Sequence, residues 1–353
     1  MLMQMGTMTE RTQTAVDITV LVCTFNRREE LRELLRSAMA QQTGGSFTYE
    51  ILVVDNNSDD GTRPLVQSLI AEGHESIRYL FEGRQGRSFA LNTGLGAARG
   101  AIYVIADDDL VLPPHYLHRV WEVFCANPDL SVVAGKVLPL WAKPAPAWLT
   151  REHWSALALS DYGAEEFRTN TNKPICLLAG AFRRADVDAV GGYHPALGVT
   201  KGRIGGTEDV DLLSRLYEVG RQGLYLPDLW LSHKVEADRL TQAYHRRWHT
   251  GHGQFYAAMR VPEVERASTR LFDVPSHLYR QALEAAASWL TCLAQGRWAA
   301  AFQCETRLRF FAGFFRARAG EFFVAGAGSL TRELAVIVQM LANKMTRRAG
   351  RPR

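Results

Sequence analysis

Apolar, strand-like runs alternate with helical segments along the first two thirds of this sequence. VLVCTF is followed by RREELRELLRSAMAQQ, whose leucines recur at helical spacing, and then by ILVVD. The same alternation continues through AIYVIADDD and SVVAGKVLPLW to LYLPDLWLSHKV. Strands that are apolar at successive positions are typical of a parallel sheet with helices on both faces. The alternation therefore predicts an α/β fold with a mostly parallel central sheet.

Polar side chains follow three of these runs, at the point where each predicted strand ends. TFNRR follows the first strand, DNNSDDG follows the second, and Asp107, Asp108 and Asp109 follow the fourth. The carboxyl ends of parallel strands meet at one edge of a sheet, where ligands bind. Neighbouring carboxylates repel one another, and Mg²⁺ or Mn²⁺ would offset that repulsion, with water and substrate phosphates filling its other coordination sites. The sequence predicts a metal and phosphate site at this edge, although DNNSDDG alone would also suit an Asx-rich turn.

Two further polar stretches stand out later in the chain. GGTEDVD has Glu208 and Asp209 at the predicted start of a helix. Acidic side chains there favour the helix dipole, which would be a sufficient explanation for either residue alone. The preceding glycines let the backbone pass close to a ligand, and this favours a general base at the tip of the loop. His233 ends the last predicted strand and becomes a ligand candidate if the fold brings it near Asp109.

Composition and charge argue against several other classes of protein. With 353 residues, 47% apolar and 22% charged, the chain has the composition of a globular protein of one or two domains. Residues 1–233 carry 22 Lys and Arg against 28 Asp and Glu, whereas residues 234–353 carry 19 against 9. The acidic first part and the lack of a recognised motif argue against nucleic-acid binding. Five cysteines without a CxxC pair favour a reducing cytoplasm. We identify neither a signal peptide nor a membrane span.

The order and spacing of the motifs resemble the family-two glycosyltransferases of the GT-A fold. The resemblance covers about residues 17 to 250 and rests on VLVCTFNRREELRELL, ILVVDNNSDDGT, GRSFALNTGLGAARGAIYVIADDD, LLAGAFRR and GGTEDVDLLSRL. It implies a Rossmann-like GT-A fold. It also implies transfer of one sugar, of the hexosyl type, from a nucleotide diphosphate-sugar to an acceptor hydroxyl with inversion. A UDP-sugar is the expected donor.

The resemblance assigns roles to thirteen residues of this sequence. Those that match nucleotide-sugar-binding positions are Thr24, Asn26, Arg27, Asp55, Arg87, Asp107, Asp108, Gly180 and Ala181. Asp109 and His233 match the ligands of Mg²⁺ or Mn²⁺. Asp209 matches the catalytic base, with Glu208 beside it in the same pair.

The sequence departs from the family pattern at three places. Leu91 stands where many relatives have arginine, so one basic contact is missing. Ala106 stands where many have a further aspartate, which leaves the assignment within Asp107–Asp109 open by one position. YHRRWHTGHG, at 244–253, lacks the Gln of the QxxRW motif of processive relatives, and this favours transfer of a single sugar. The alternatives are a nucleotidyltransferase, which would need a glycine-rich loop in place of CTFNRREE, and a non-catalytic nucleotide-sugar-binding module.

The chain is expected to divide into a flexible tail at 1–15, a GT-A domain at 16–260 and a helical region at 261–353. The irregular segment at 142–175 and the loop GGYHPALGVTKGRIGG are expected to contact the acceptor. In the helical region, the phenylalanines of RFFAGFFRARAG form a stripe among arginines. This stripe packs on the catalytic domain or on a second subunit of a homo-oligomer, or it lies in the interface of an anionic membrane. The expected acceptor is a saccharide or a lipid-linked saccharide in cell-surface polysaccharide or glycoconjugate biosynthesis. A lipid-linked acceptor at the inner face of the membrane would suit the membrane interpretation of the stripe.

Overall fold

The computed structural model describes residues 16–170, 180–267 and 269–324. The predicted tail at 1–15 lies outside the described residues, as do the last part of the irregular segment, 171–175, and the predicted helical region from 325 onward. The strands are β1 (Val16–Thr24), β2 (Tyr49–Asp55), β3 (Ile77–Phe81), β4 (Gly100–Asp107), β5 (Leu110–Val111), β6 (Leu130–Trp141), β7 (Phe167–Thr169), β8 (Ala181–Arg183), β9 (Gln222–Val235), β10 (Arg270–Leu271) and β11 (Val274–Pro275).

Helices connect most of these strands. The α-helices are α1 (Arg28–Met39), α2 (Thr62–Ala71), α3 (Arg87–Ala97), α4 (Tyr116–Ala126), α5 (Arg184–Ala189), α6 (Glu208–Glu218), α7 (Gln242–Met259), α8 (Pro262–Glu265), α9 (Ser276–Ala294) and α10 (Trp298–Val324). Two 3₁₀-helices cover Arg151–Leu157 and Pro195–Leu197.

The first four long strands form the parallel part of the sheet, in the order β3-β2-β1-β4. Alternate residues of β1 are buried on opposite faces, with Val20 and Val22 packed on the layer of α1 and α4, and Leu21 on the layer of α3 and α6. Burial on both faces explains why these strands are apolar at successive positions. The predicted α/β fold with a mostly parallel central sheet and C-terminal helices is confirmed.

Mostly antiparallel pairs extend the sheet beyond β4. β8 pairs antiparallel with β4 and β6, β6 pairs parallel with β9, and β5 and β7 pair antiparallel with β9. The short β5 places Leu110 opposite His233, and the Lys234 amide donates to the carbonyl oxygen of Asp109 at 3.0 Å. The end of β9 therefore lies directly beside the aspartates that end β4.

The C-terminal helices pack against α7. Phe311 and Phe314 are buried in a cluster that also contains Ala257 of α7 and Leu278 of α9. A Cβ atom added at Gly313 of α10 would lie only 2.0 Å from the carbonyl oxygen of Thr250 in α7. The aromatic stripe thus packs within the chain. The hairpin of β10 and β11 interrupts the helical region. Among the described residues, no helix combines the length and apolar composition needed to cross a membrane.

Candidate active site

Two chambers open at the carboxyl edge of the sheet. The aspartate chamber has a volume of about 420 Å³, and its lining includes Thr24, Arg27, Asp107, Asp108, Asp109 and His233. The aromatic chamber has a volume of about 640 Å³, and its lining includes Trp154, Tyr162, Asp209, Tyr244, Trp248 and His252. Arg87 and Asp107 line both, so the two chambers share part of one wall.

Strand register explains how the polar ends of β1, β2 and β4 come together. Thr24 lies opposite Asp55, and Cys23 lies opposite Asp107. The Thr24 hydroxyl donates a hydrogen bond to Oδ2 of Asp108 at 2.8 Å. The predicted meeting of these motifs at one edge is therefore present in the structure.

Arg87, the first residue of α3, joins the two chambers. Its Nη2 lies 2.9 Å from Oδ1 of Asp107, and its Nη1 lies 3.0 Å from Oε1 of Glu208. Nη1 also lies 3.1 Å from Oδ2 of Asp209. Burial lowers the pKa of Arg87, but the three carboxylates outweigh burial and raise its pKa well above the usual value. Arg87 therefore stays charged, and its three salt bridges fix the positions of the carboxylates around it.

The two acids of the GGTED motif have raised pKa values. Burial raises the pKa of Glu208 to about 7, against the opposing effect of Arg87. Burial likewise raises the pKa of Asp209, again opposed by Arg87, while the nearby Asp107 raises it further. Glu208 is 4% exposed, whereas the side chain of Asp209 is 34% exposed. Asp209 is therefore the more accessible of the two acids, and a raised pKa suits a general base near neutral pH.

Basic side chains surround the last two aspartates of β4. Arg27 lies 3.3 Å from Asp108 and 3.1 Å from Asp109. Oδ2 of Asp109 also lies 3.1 Å from His233 and 3.2 Å from Arg239. Burial raises the pKa of Asp108. For Asp109, burial is outweighed by His233, Arg27 and Arg239, which hold its pKa well below the usual range.

These contacts correct one part of the sequence analysis. The compensation for the aspartate repulsion was attributed to a divalent cation, but Arg27 and Arg239 already provide positive charge in the protein. Arg239 was missed because it follows β9, far from the aspartates in sequence. The rule that selected acids at strand ends, extended to basic residues, would have placed Arg239 near this edge of the sheet but would not have predicted its contact with Asp109.

A divalent cation nevertheless fits the residues that are present. Oδ1 of Asp109 is buried and has no hydrogen-bond partner among the described residues, and the same holds for Nδ1 of His233. Within the ranges that the structure describes, no group of three or more His, Cys, Asp or Glu side chains could hold a metal ion by itself. Mg²⁺ and similar cations are often held by one or two carboxylates plus water and phosphate oxygens. Metal binding by Asp109 and His233 remains a prediction.

Some predicted site residues lie away from the chamber walls. Those absent from the described lining of both chambers are Asn26, Asp55, Gly180 and Ala181. Both carboxylate oxygens of Asp55 accept hydrogen bonds inside the protein, from the Ser58 amide at 2.9 Å and the Tyr79 hydroxyl at 2.8 Å. The Ala181 side chain is buried in the core beside the sheet. The roles of these four residues in donor binding also remain predictions.

The departures at Leu91 and Ala106 have a structural explanation. Leu91 is 1% exposed and packs in the core between α3 and the sheet. Arg87 lies four residues earlier on the same helix and lines both chambers. Ala106 is buried in the core under the opposite helix layer. Asp107 is therefore the first acidic side chain of β4 to reach the chambers.

Residues 19–190 match the model of the glycosyl transferase family 2. This part of the chain is a family 2 glycosyltransferase domain. It includes Arg87 and the aspartates of β4, whereas Asp209 and His233 lie beyond the matched residues.

Relatives and a solved structure agree with this assignment. The chain is 25% identical over 229 residues to a glucosyl-dolichyl phosphate glucuronosyltransferase of Haloferax volcanii, which covers 62% of this chain and 69% of the relative. It is 28% identical over 244 residues to the succinoglycan biosynthesis protein ExoM of Rhizobium meliloti, which covers 68% and 75%. The solved mannosyltransferase PcManGT of Pyrobaculum calidifontis, in complex with GDP-Man and Mn²⁺, has a TM-score of 0.54 at 21% identity and covers 88% of each chain. This last likeness shows a common fold.

Two segments that were expected to be irregular line the aromatic chamber, together with helix α7. The 3₁₀-helix Arg151–Leu157 and the residues that follow it supply one wall, and the loop at 203–206 supplies another. Trp248 and His252 of α7 complete the lining. These α7 residues were not predicted, because their helical spacing alone does not indicate which face meets the sheet edge.

Proposed function

We propose that this chain transfers a single hexosyl-type sugar from a nucleotide diphosphate-sugar to an acceptor hydroxyl, with inversion at the anomeric carbon. The observation that carries the proposal is Arg87, which pairs with Asp107 in the aspartate chamber and with Asp209 in the aromatic chamber. A donor in the first chamber and an acceptor in the second would meet at this shared wall. A UDP-sugar is the donor that we propose.

The aspartate chamber suits a nucleoside diphosphate because it combines acids with arginines. Arg27 and Arg239 both line it. Guanidinium groups match phosphate oxygens in a two-pronged geometry, so both can take up diphosphate charge. Thr24 and Asp107, at the ends of β1 and β4, would face the ribose or the donor sugar.

Asp109, with His233 beside it, would hold a divalent cation. Its buried and unpartnered Oδ1 is the atom that supports this assignment. When bound there, Mg²⁺ or Mn²⁺ supplies positive charge that stabilises the departing diphosphate. The Mn²⁺ in the mannosyltransferase of the same fold supports Mn²⁺ as the first ion to test.

Asp209 would remove the proton from the acceptor hydroxyl as that hydroxyl attacks from the face opposite the leaving group. A positioned general base contributes roughly 10²–10⁴-fold in rate. Glu208 contacts Arg87 from the same helix turn and would hold the guanidinium in place. A single displacement of this kind inverts the anomeric carbon and needs no covalent intermediate.

The acceptor that we propose is a saccharide or a lipid-linked saccharide. The aromatic chamber offers the rings of Trp154, Tyr162 and Trp248 beside Asp209. The relatives named for a dolichyl phosphate sugar and for succinoglycan support lipid-linked or polysaccharide biosynthesis. We propose that this reaction takes place at the cytoplasmic side of the membrane.

We further propose that residues 16–260 form the catalytic domain and that residues 261–353 form a helical extension attached to it. The core cluster formed by α7, α9 and α10 supports an extension that rests on the last helix of the catalytic domain. Expression of residues 16–260 alone, compared with the full chain by thermal unfolding, tests whether the first unit folds without the second.

A panel of nucleotide-sugars, scored by thermal shift with Mn²⁺ and again with EDTA, tests the proposed donor. The donor that raises the melting temperature most is then incubated with lipid-linked and free saccharides, and the released products are measured. Release of nucleoside diphosphate together with a glycosylated acceptor supports the proposal. Release of pyrophosphate would indicate a nucleotidyltransferase, and binding without any release would indicate a non-catalytic module.

A further inference from the structure

A basic cleft lies beside both chambers, between the loop that carries Arg203, helix α7 and helix α10. Its volume is about 490 Å³, and its lining includes Arg246 and Arg247 of α7 and Arg309 of α10. These four residues define the arginine cleft. None of the described residues that line it is acidic. Arg203 also lines the aspartate and aromatic chambers, so the cleft adjoins both of them.

Only part of the positive charge in the arginine cleft is balanced within the protein. Glu305 lies 2.7 Å from Nε of Arg246 and 3.2 Å from Nη2 of Arg309, so one carboxylate serves two guanidinium groups. Four arginines and one glutamate leave a formal charge of +3 at this place. Concentrated charge of one sign attracts ions of the other sign.

The remaining two arginines are held by aromatic rings. The guanidinium carbon of Arg203 lies 4.2 Å from the ring centroid of Phe255, and that of Arg247 lies 5.8 Å from the ring centroid of Tyr244. Neither arginine forms a salt bridge with any residue that the structure describes. A cation–π contact orients a guanidinium through its face and leaves the N–H groups at its edge available for a ligand.

We propose that the arginine cleft binds a phosphate-bearing group, which is either the headgroup of an anionic lipid or a soluble phosphate compound. A guanidinium fork matches two oxygens of a phosphate, and the cleft presents two forks that have no acidic partner. Arg246, Arg247 and Arg309 line neither chamber, so the cleft extends beyond the proposed donor site, with which it shares Gly202 and Arg203. The proposal therefore holds or fails independently of the transfer reaction.

Two binding measurements on the full chain test the proposal and separate the two sources of phosphate. Flotation with vesicles of phosphatidylglycerol in phosphatidylcholine, compared with pure phosphatidylcholine, tests for a lipid headgroup. Calorimetric titration with pyrophosphate, with and without UDP, tests for a soluble phosphate and distinguishes the cleft from the aspartate chamber. Both are repeated on Arg247→Gln/Arg309→Gln, which leaves the lining of both chambers unchanged, and on Arg280→Gln, a control that removes an exposed arginine of α9.

The double substitution is expected to weaken binding at least about ten-fold, because hydrogen bonds to charged groups are lost. Arg280→Gln is expected to bind as the wild type does, and Arg247→Lys is expected to weaken binding less than Arg247→Gln. If the double variant loses only vesicle binding, the ligand of the cleft is a lipid headgroup. If it loses pyrophosphate binding in the presence of UDP, the ligand is a soluble phosphate compound. The proposal is overturned if the wild type binds neither probe, or if the double variant and Arg280→Gln behave alike.

Discussion

Arg87 and Asp209 form a salt bridge in the wall between the two chambers, with Nη1 of the arginine 3.2 Å and 3.1 Å from the two carboxylate oxygens. The proposed base is therefore paired with a cation that also contacts Asp107 on the donor side. An anionic diphosphate in the aspartate chamber would attract the same guanidinium. The charge state of Asp209 is in this way linked to the occupant of the neighbouring chamber.

Replacing Arg87 by Gln is expected to shift the pH dependence of transfer. Arg87 opposes the effect of burial on the pKa of Asp209, so its removal raises that pKa further. The acid limb of the pH–rate profile should then move to higher pH, because a base must be deprotonated to act. Arg87→Lys keeps the charge and should restore most of the wild-type profile.

Arg84→Gln provides the matched control for that experiment. Arg84 is an exposed arginine in the same segment, and its salt bridge is with Glu82. Its profile should follow that of the wild type. If Arg87→Gln lowered kcat while the pH–rate profile stayed unchanged, Arg87 would have a structural role only.

Asp209→Asn is expected to abolish transfer and to leave donor binding within a few-fold of the wild type. Asparagine has nearly the same shape as aspartate but cannot accept the proton of the hydroxyl. Donor affinity from calorimetry and transfer from product formation are the two readouts. Asp211→Asn, on the same helix and paired with Arg215, is the control and should retain transfer. Loss of donor binding and transfer together in Asp209→Asn would contradict the assignment as base.

Glu208 is expected to make the free energy of unfolding depend on pH. Its pKa is raised from 4.5 to about 7 in the folded protein, so the folded state binds this proton more tightly than the unfolded chain does. The stability that it contributes is present below about pH 4.5 and is lost as the pH rises through about 7. From pH 5 to pH 8, the free energy of unfolding measured with urea should decrease less for Glu208→Gln than for the wild type, by on the order of 1–3 kcal/mol. Equal decreases would show that burial does not raise this pKa.

Asp109→Asn is expected to remove the metal dependence of nucleotide binding. The amide that replaces the carboxylate would lack the negative charge that a hard divalent cation requires. In the wild type, UDP should raise the melting temperature more with Mn²⁺ than with EDTA. In the variant the two shifts should be equal. A shift that still depends on Mn²⁺ would assign the metal to another aspartate of the segment at 107–109.

The order of strands and helices, and the meeting of polar motifs at one sheet edge, could be predicted because both follow from local patterns. Apolar runs identified β1, β2, β4 and β9, and the strand ends identified the aspartates. His233 was a ligand candidate only if the fold brought it near Asp109, and the pairing of β5 with β9 does so. That pairing joins segments more than 100 residues apart and leaves no local pattern in the sequence.

Among the arginines around the site, Arg239 and Arg203 were the main omissions. Arg239 contacts Asp109, which lies 130 residues away in sequence, and Arg203 belongs to a loop whose course depends on its packing against α7. A basic residue in a loop has no periodicity from which its direction could be predicted. Close approaches between helices were also missed, because a glycine in a helical pattern does not indicate which helix it faces.

Two glycines of α10 offer a matched test of how this helix packs on α7. A Cβ atom at Gly313 would lie 2.0 Å from the carbonyl oxygen of Thr250, a distance at which the helices must separate. A Cβ atom at Gly320 would meet no atom within 4 Å. Gly313→Ala should therefore cost about 1–3 kcal/mol of the free energy of unfolding through overpacking.

Gly320→Ala should instead increase the free energy of unfolding. Alanine is favoured over glycine in an open helical position by about 1 kcal/mol, because less backbone entropy is lost on folding. Urea unfolding followed by circular dichroism measures both variants against the wild type. Stabilisation by both substitutions would mean that α10 is not packed on α7 in solution. The aromatic stripe beside Gly313 would then be free for a membrane or a second subunit, and the packing of the helical extension described above would be wrong.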